Sequence, residues 1–182
     1  VAGGVRKTWS LDSIDEVLPG GFGQAFPRFA VWNYFTNTRA RGGYYPEGSA
    51  YPLVKVKTLA PKPGQILADS GRVDHLAAEY LQFKPAGQAG GLSIGLTLST
   101  KATWKVAVLL LQDGNAQIME TDGAQVRIPA WGTYDEIVII PACVSRTGSS
   151  FTYKITAEIR SDILKPARVV GDFNADGAVE FT

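Results

Sequence analysis

From residue 52 onward the chain alternates apolar and polar positions. Leu92, Ile94, Leu96 and Leu98 fall on one side of a strand, with Ser93, Gly95, Thr97 and Ser99 on the other. Near the end, Phe151, Tyr153, Ile155, Ala157 and Ile159 oppose Thr152, Lys154, Thr156, Glu158 and Arg160. A period of two marks strands with one buried and one wet face. Between them lie a strand at 103–111, a hairpin of 117–120 and 125–128 turning at Thr121-Asp122-Gly123, and a strand at 136–144. Segments 52–59 and 79–83 add two more. Seven or eight short strands punctuated by Gly, Asp and Pro predict a mainly β chain: an antiparallel, jelly-roll-like β-sandwich preceded by two helices. Segment 136–144 is apolar on both faces and is expected at the centre of its sheet. Pro141 there demands a bulge or an unpaired position.

The first fifty residues follow a different period. Leu11, Ile14, Val17 and Leu18 have helical spacing, with Ser10 or Asp12 as cap and Pro19-Gly20-Gly21 as stop. A second helix is expected over 24–38, with Pro27 tolerated in its first turn. Its residues Phe26, Phe29, Ala30, Val31, Trp32, Tyr34 and Phe35 cover nearly all directions of the wheel. A helix apolar all round needs cover on more than one side. The expectation is that a small sandwich covers one side, and an absent domain or subunit the other. The division of the chain is thus 1–50, a helical segment packing on a missing partner; 51–165, the sandwich; and 166–182, a linker and a truncated loop.

Composition changes this picture little. The 182 residues are 45% hydrophobic and carry a formal charge of +1, enough apolar material for a core. So even a charge balance gives no reason to expect nucleic acid, and no apolar run has the roughly 18–20 residues of a membrane span. The chain starts at Val1 and its one methionine is Met119, which reads as a processed or excised piece of something longer. Cys143, the single cysteine, lies in an apolar run and reads as a buried thiol.

Three motifs invite chemistry and are better read as structure. Gly91-Leu92-Ser93-Ile94-Gly95 has the G-x-S-x-G form of a nucleophile elbow, but Ser93 lies inside an alternating strand and the only histidine, His75, precedes it. His75 with Asp74 and Glu79 lacks the spacing of a zinc site, so no zinc is expected. Gly21-Phe22-Gly23 opens a helix with no preceding strand, unlike a dinucleotide fingerprint. No catalytic residue is assigned, and the chain itself is read as not an enzyme.

The exception is 172–180. Asp172, Asn174 and Asp176 stand at positions one, three and five of a calcium loop, Gly177 makes the turn at six, and Ala178 offers its carbonyl at seven. Position twelve would be residue 183, so the loop lacks its last carboxylate and calcium binding is expected to be weak or absent. This tail resembles the first loop of a dockerin-type repeat, which implies a secreted, modular, calcium-linked parent.

Residues 9–160 are similar to the C-terminal region of bacterial secreted zinc metallopeptidases, distantly like the immune-inhibitor-A group. The residues that carry the resemblance are Phe29-Ala30-Val31-Trp32-Asn33-Tyr34-Phe35-Thr36, Arg39, Tyr44-Tyr45-Pro46-Glu47-Gly48 and Tyr51-Pro52. Asp74-His75-Leu76, Tyr80-Leu81-Gln82-Phe83, the 92–98 strand and Trp104 follow. The resemblance implies that the aromatic helix closes an upstream peptidase domain and that a sandwich like pre-peptidase C-terminal domains follows. The zinc motif of those enzymes has no counterpart here.

The expected function is therefore a non-catalytic accessory region of a secreted or cell-surface bacterial protein, a docking or spacer module. Phe26, Phe29, Trp32 and Phe35 would form the docking interface with an upstream domain or other subunits, since buried aromatics dominate such contacts. One alternative is a carbohydrate-binding module that stacks glycans on Trp131, Tyr134, Tyr44 and Tyr45. Another is a self-assembling extracellular or filament subunit.

Overall fold

The computed structural model describes residues 10–85, 87–121 and 124–163; the expected calcium loop, with Asp172, Asn174, Asp176 and Ala178, lies outside them. Two helices come first, α1 (Ser10–Val17) and α2 (Gly21–Tyr34), followed by short 3-10 turns at Asn37–Arg39 and Gly48–Ala50. The strand segments are β1 (Lys57–Leu59), β2 (Ile66–Val73), β3 (Ala77–Ala78), β4 (Leu81–Phe83), β5 (Gly91–Leu98), β6 (Trp104–Gln112), β7 (Asn115–Thr121), β8 (Gln125–Ile128), β9 (Glu136–Cys143) and β10 (Phe151–Arg160). A four-stranded sheet has the order β2-β10-β5-β8. A six-stranded sheet has the order β1-β4-β9-β6-β7, with β3 also on β9.

From β2 onward every connection passes to the other sheet, except β3 to β4 and the β6–β7 hairpin. That is the winding of a jelly roll. Taking β3 and β4 as one interrupted strand gives the eight strands of that fold, with β1 added at an edge. Because β1 runs parallel to β4, the six-stranded sheet is not wholly antiparallel.

Pro141 explains the interruption. Its carbonyl accepts Glu79 N–H at 3.2 Å, so its missing N–H also faces that side of the strand. Residues 79–80, opposite, belong to neither β3 nor β4. The unpaired position demanded by the proline is the gap between them, and β9 sits centrally, paired to β6 along its whole length.

The hairpin expected between 117–120 and 125–128 does not form. β7 pairs with β6, and β8 pairs with β5 in the opposite sheet. The turn is at Asp113-Gly114, with φ of 49° and 76°, the left-handed pair that a two-residue hairpin needs. Strand β2 has no counterpart in the sequence reading. Its inward positions include Asp69 and Gly71, which hide the alternation. Gly71 is required because a Cβ there would collide with the Tyr153 ring opposite.

Two cores result. Between the sheets lie Leu81, Phe83, Leu92, Ile94, Val108, Ile137, Ile139, Tyr153 and Ile155, with Trp131 at one end. On the outer face of the six-stranded sheet, Ala107, Leu109, Leu111, Val138 and Ile140 pack against Ala30, Val31, Tyr34 and Phe35 of the helical segment. The molecule thus has three layers: sheet, sheet and helix.

The sheet takes one side of α2, and the following loop lies against part of the other, where Phe29 and Trp32 stay exposed. Tyr44 stacks on Phe35 with centroids 4.0 Å apart, and Trp32 meets the edges of both Tyr44 and Tyr45. Helix α1 is tied down by Arg146, which pairs with Asp12 at 2.5 Å and with Asp15.

Candidate docking surface

Helical spacing sorts α2 into two faces. Phe26, Pro27, Ala30, Val31 and Tyr34 form the buried stripe, while Arg28, Phe29 and Trp32 fall on the opposite side. Phe29 is 52% exposed and Trp32 38%. Tyr51, on the loop that returns across the helix, is 41% exposed. Tyr45 joins them: its ring stands edge-on to Trp32 at 5.2 Å and to Tyr51 at 5.3 Å, and its hydroxyl donates to Asn33 Oδ1 at 3.1 Å. Burial, and then the neighbouring Tyr51, raises the Tyr45 pKa above its ordinary value, so the phenol stays neutral at physiological pH.

These rings form a ridge between two grooves. One, of about 500 Å3, is lined by Phe29, Asn33, Tyr45, Tyr51, Pro52 and Val54. The other, of about 870 Å3, runs between α2 and the ends of β6 and β7, with Arg28, Phe29, Trp32, Tyr45, Lys105 and Glu120 in its lining. Phe29 and Tyr45 border both. Among the described residues, four of the seven exposed large hydrophobic side chains line these grooves: Leu18, Phe29, Trp32 and Tyr51. Clustered apolar exposure of this kind marks interaction surfaces.

Beneath the ridge, polar groups fix the helix to the sheet. The Tyr34 hydroxyl and Gln82 Nε2 both donate to Glu136 Oε1, the latter at 2.5 Å. Thr58 Oγ1 donates to Gln82 Oε1 at 2.8 Å, which brings in β1. Tyr80 Oη donates to the Ala30 carbonyl at 2.8 Å. Burial foremost, then the Glu136 carboxylate, pushes the Tyr34 pKa up, against a smaller opposing effect of Arg39 over its ring. The hydroxyl is therefore a held donor rather than an acid. This network anchors; it offers no nucleophile paired with a base.

The expected site residues divide. Of the docking set, Phe29 and Trp32 are on the surface, whereas Phe35 is 0% and Phe26 5% exposed, so these two serve the chain's own core. Of the glycan set, Trp131 is 1% exposed. It plugs the end of the sandwich on a 3-10 turn after Ala130, so it cannot stack on a sugar. Tyr134 packs half-buried on the inter-sheet core. The Tyr44 ring is occupied by Phe35 and Trp32, while Tyr45 reaches the grooves.

Tyr51, Lys105 and Glu120 are not among the site residues expected from sequence. A signal for the last two exists: they are polar at outward positions of strands whose other outward positions are apolar.

His75 is structural: its Nδ1 lies 2.6 Å from the Gly148 carbonyl and its N–H also points there. Ser93 sits within β5 with Gln125 Nε2 at 3.4 Å, and Cys143 is buried. Among the described residues no group of three or more His, Cys, Asp or Glu could hold a metal. No described helix is long and apolar enough to cross a membrane.

No protein-family model matches the chain, and no curated protein matches it. Among solved structures, the Yersinia pseudotuberculosis-derived mitogen is similar at 16% identity and a TM-score of 0.40, over 58% of this chain and 92% of that one. The pre-peptidase C-terminal domain of collagenase from Bacillus anthracis is similar at 9% and 0.37, over 59% and 100%. Salmonella Typhimurium PliG, a periplasmic inhibitor of g-type lysozyme, is similar at 10% and 0.36, over 57% and 99%. Likeness this low transfers no function.

Proposed function

We propose that the chain is a non-catalytic accessory module of a secreted, modular bacterial protein, and that it docks through the ridge of Phe29, Trp32, Tyr45 and Tyr51. The observation that carries this is the contrast within one helix. Its inner stripe is consumed by the chain's own sheet, yet aromatic rings continue on the outer side, where a solvated helix would carry polar residues. The inner stripe makes the module rigid, and the outer ridge supplies the aromatic anchors that dominate protein contacts.

The test uses the 182-residue chain with Phe29 and Trp32 both changed to Ser. Binding of an apolar fluorescent dye should fall clearly while the circular-dichroism spectrum and melting stay close to the parent's. Unchanged dye binding would remove the docking surface. The same reading places a zinc peptidase domain upstream in the parent, which its reading frame before Val1 tests. It also places calcium at Asp172, Asn174, Asp176 and the Ala178 carbonyl. Calorimetric titration with calcium, compared with Asp172→Ala, tests that part.

One observation favours a second reading, glycan binding. Tyr45 and Tyr51 meet at an interplanar angle of 82° on the wall of the smaller groove, whose lining carries no charged side chain. Affinity electrophoresis on neutral polysaccharides should then show retardation that Tyr51→Ala abolishes.

A further inference from the structure

We infer that α1 is a latch: an ion-paired flap over the N-terminal end of α2 that opens without unfolding the sandwich and uncovers Phe22 and Phe26. The inference concerns the regulation of the docking surface proposed above. It rests on that reading for its use, though not for its mechanics.

The moving side is loosely built. From Leu11 to Val17 no side chain is buried, and α1 packs chiefly on α2. Its eight residues are fewer than an isolated helix needs in water, so α1 persists only while docked. Gly20 and Gly21 join it to α2 with φ of 76° and 72°. Glycine enters and leaves that region without steric cost, and two in succession make a hinge.

The catch is fixed. Arg146 stands in the loop between β9 and β10, which is pinned on both sides of it. Val144 N–H donates to the Thr103 carbonyl at 2.9 Å, and Thr103 N–H donates to Ser145 Oγ at 2.8 Å. Further on, His75 N–H donates to the Gly148 carbonyl at 3.3 Å and Ser150 N–H to Asp74 Oδ1 at 2.7 Å. Arg146 is thereby held out to Asp12 and Asp15 of α1. Asp15 is the pivot: Oδ2 takes the guanidinium, while Oδ1 accepts Phe22 N–H at 2.6 Å. The Arg146 side chain is 45% exposed, so salt screens these pairs.

The latch hides part of a row of rings. Phe22, Phe26 and Phe29 stand at i, i+4 and i+7, on one face of the helix, with neighbouring centroids 5.3 and 5.9 Å apart. Exposure falls along this row from 52% at Phe29 to 5% at Phe26. Phe26 nevertheless belongs to neither the inter-sheet core nor the helix–sheet core. The fall runs toward α1. Opening α1 therefore extends the exposed aromatic surface from Phe29 down to Phe22, by about two turns of helix.

The experiment is hydrogen exchange of the intact chain read by mass spectrometry, with binding of a neutral apolar dye in parallel, at about 0.05 and 1 M sodium chloride. Amides of residues 11–18 should exchange about two- to fivefold faster at high salt, while those of β6 and β9 stay unchanged. Arg146→Ala should reproduce this at low salt and show no further response to salt. Its added dye binding should vanish when Phe22→Ser is introduced as well. Exchange of α1 that ignores both salt and Arg146→Ala overturns the latch, and so does exchange that quickens only together with β6 and β9. An opening that adds no dye binding overturns it too. If the latch fails while Phe29→Ser with Trp32→Ser still lowers dye binding, the docking surface stands ungated. If α1 opens but those serine changes leave dye binding intact, the latch stands and the docking reading falls.

Discussion

The two outer faces of this sandwich are made by strands of the same geometry and meet opposite fates. On the four-stranded sheet the outward residues are Ser93, Gly95 and Thr97 of β5 and Thr152, Lys154, Thr156 and Glu158 of β10, and the face is left to solvent. On the six-stranded sheet the corresponding positions are Ala107, Leu109, Leu111, Val138 and Ile140, and a helix layer covers them. A strand apolar on both sides does not merely belong at a sheet's centre. It demands a further layer, and here the chain carries that layer at its own N-terminal end.

The sharpest way to break the comparison is to remove the layer. Deletion of residues 1–41 should uncover the apolar face and abolish cooperative unfolding, a loss of more than about 5 kcal/mol. It would be read by calorimetry and by a rise in dye binding. Thr156→Ala, on the bare face, should change stability by no more than about 0.5 kcal/mol.

A smaller effect is expected from the polar anchor. Glu136→Ala leaves the Tyr34 hydroxyl and Gln82 amide without their acceptor and should cost about 1–3 kcal/mol in urea denaturation. If the loss is no greater than for Thr156→Ala, the anchor is not what fixes the helix.

The alternation of β5 and β10 was legible in sequence because both strands carry polar residues outward. The double-sided apolarity of β9 was legible too, and with it the unpaired requirement of Pro141. What covers α2 was not: helical periodicity shows how many sides need cover, and the loop carrying Tyr44 and Tyr45 has no period that would place it. β2 escaped because Asp69 and Gly71 interrupt its inward positions. The hairpin was misplaced because Asp113-Gly114 and Asp122-Gly123 are the same dipeptide, and only pairing across the sheets tells them apart. At the site, sequence found Phe29, Trp32 and Tyr45 among residues that proved to be core. An aromatic in a loop reads alike whether it plugs the sandwich, as Trp131 does, or faces water, as Tyr51 does.

Alkaline pH sharpens the comparison further. Burial raises the pKa of Tyr34 and Tyr80 under the helix and of Tyr153 between the sheets, above the ordinary 10.0. A raised folded-state pKa favours the neutral phenol, so this contribution is complete below pH 10 and is lost as pH climbs toward the folded values. Ultraviolet titration should show these tyrosines ionising late and together with unfolding. Early ionisation of all seven tyrosines would place the helix layer in solvent. A small effect is also expected from Arg146→Ala: its pairs with Asp12 and Asp15 are exposed, so the loss should stay under about 1 kcal/mol and shrink in high salt.

The most direct test compares two phenylalanines six residues apart. Phe35 lies at the end of α2, wholly buried against the sheet and the Tyr44 ring, and Phe29 stands on the outer ridge. Urea denaturation should show Phe35→Ala losing about 3–5 kcal/mol and Phe29→Ala losing less than about 1 kcal/mol. Equal losses would contradict a helix whose inner side is this module's core and whose outer side is kept for a partner.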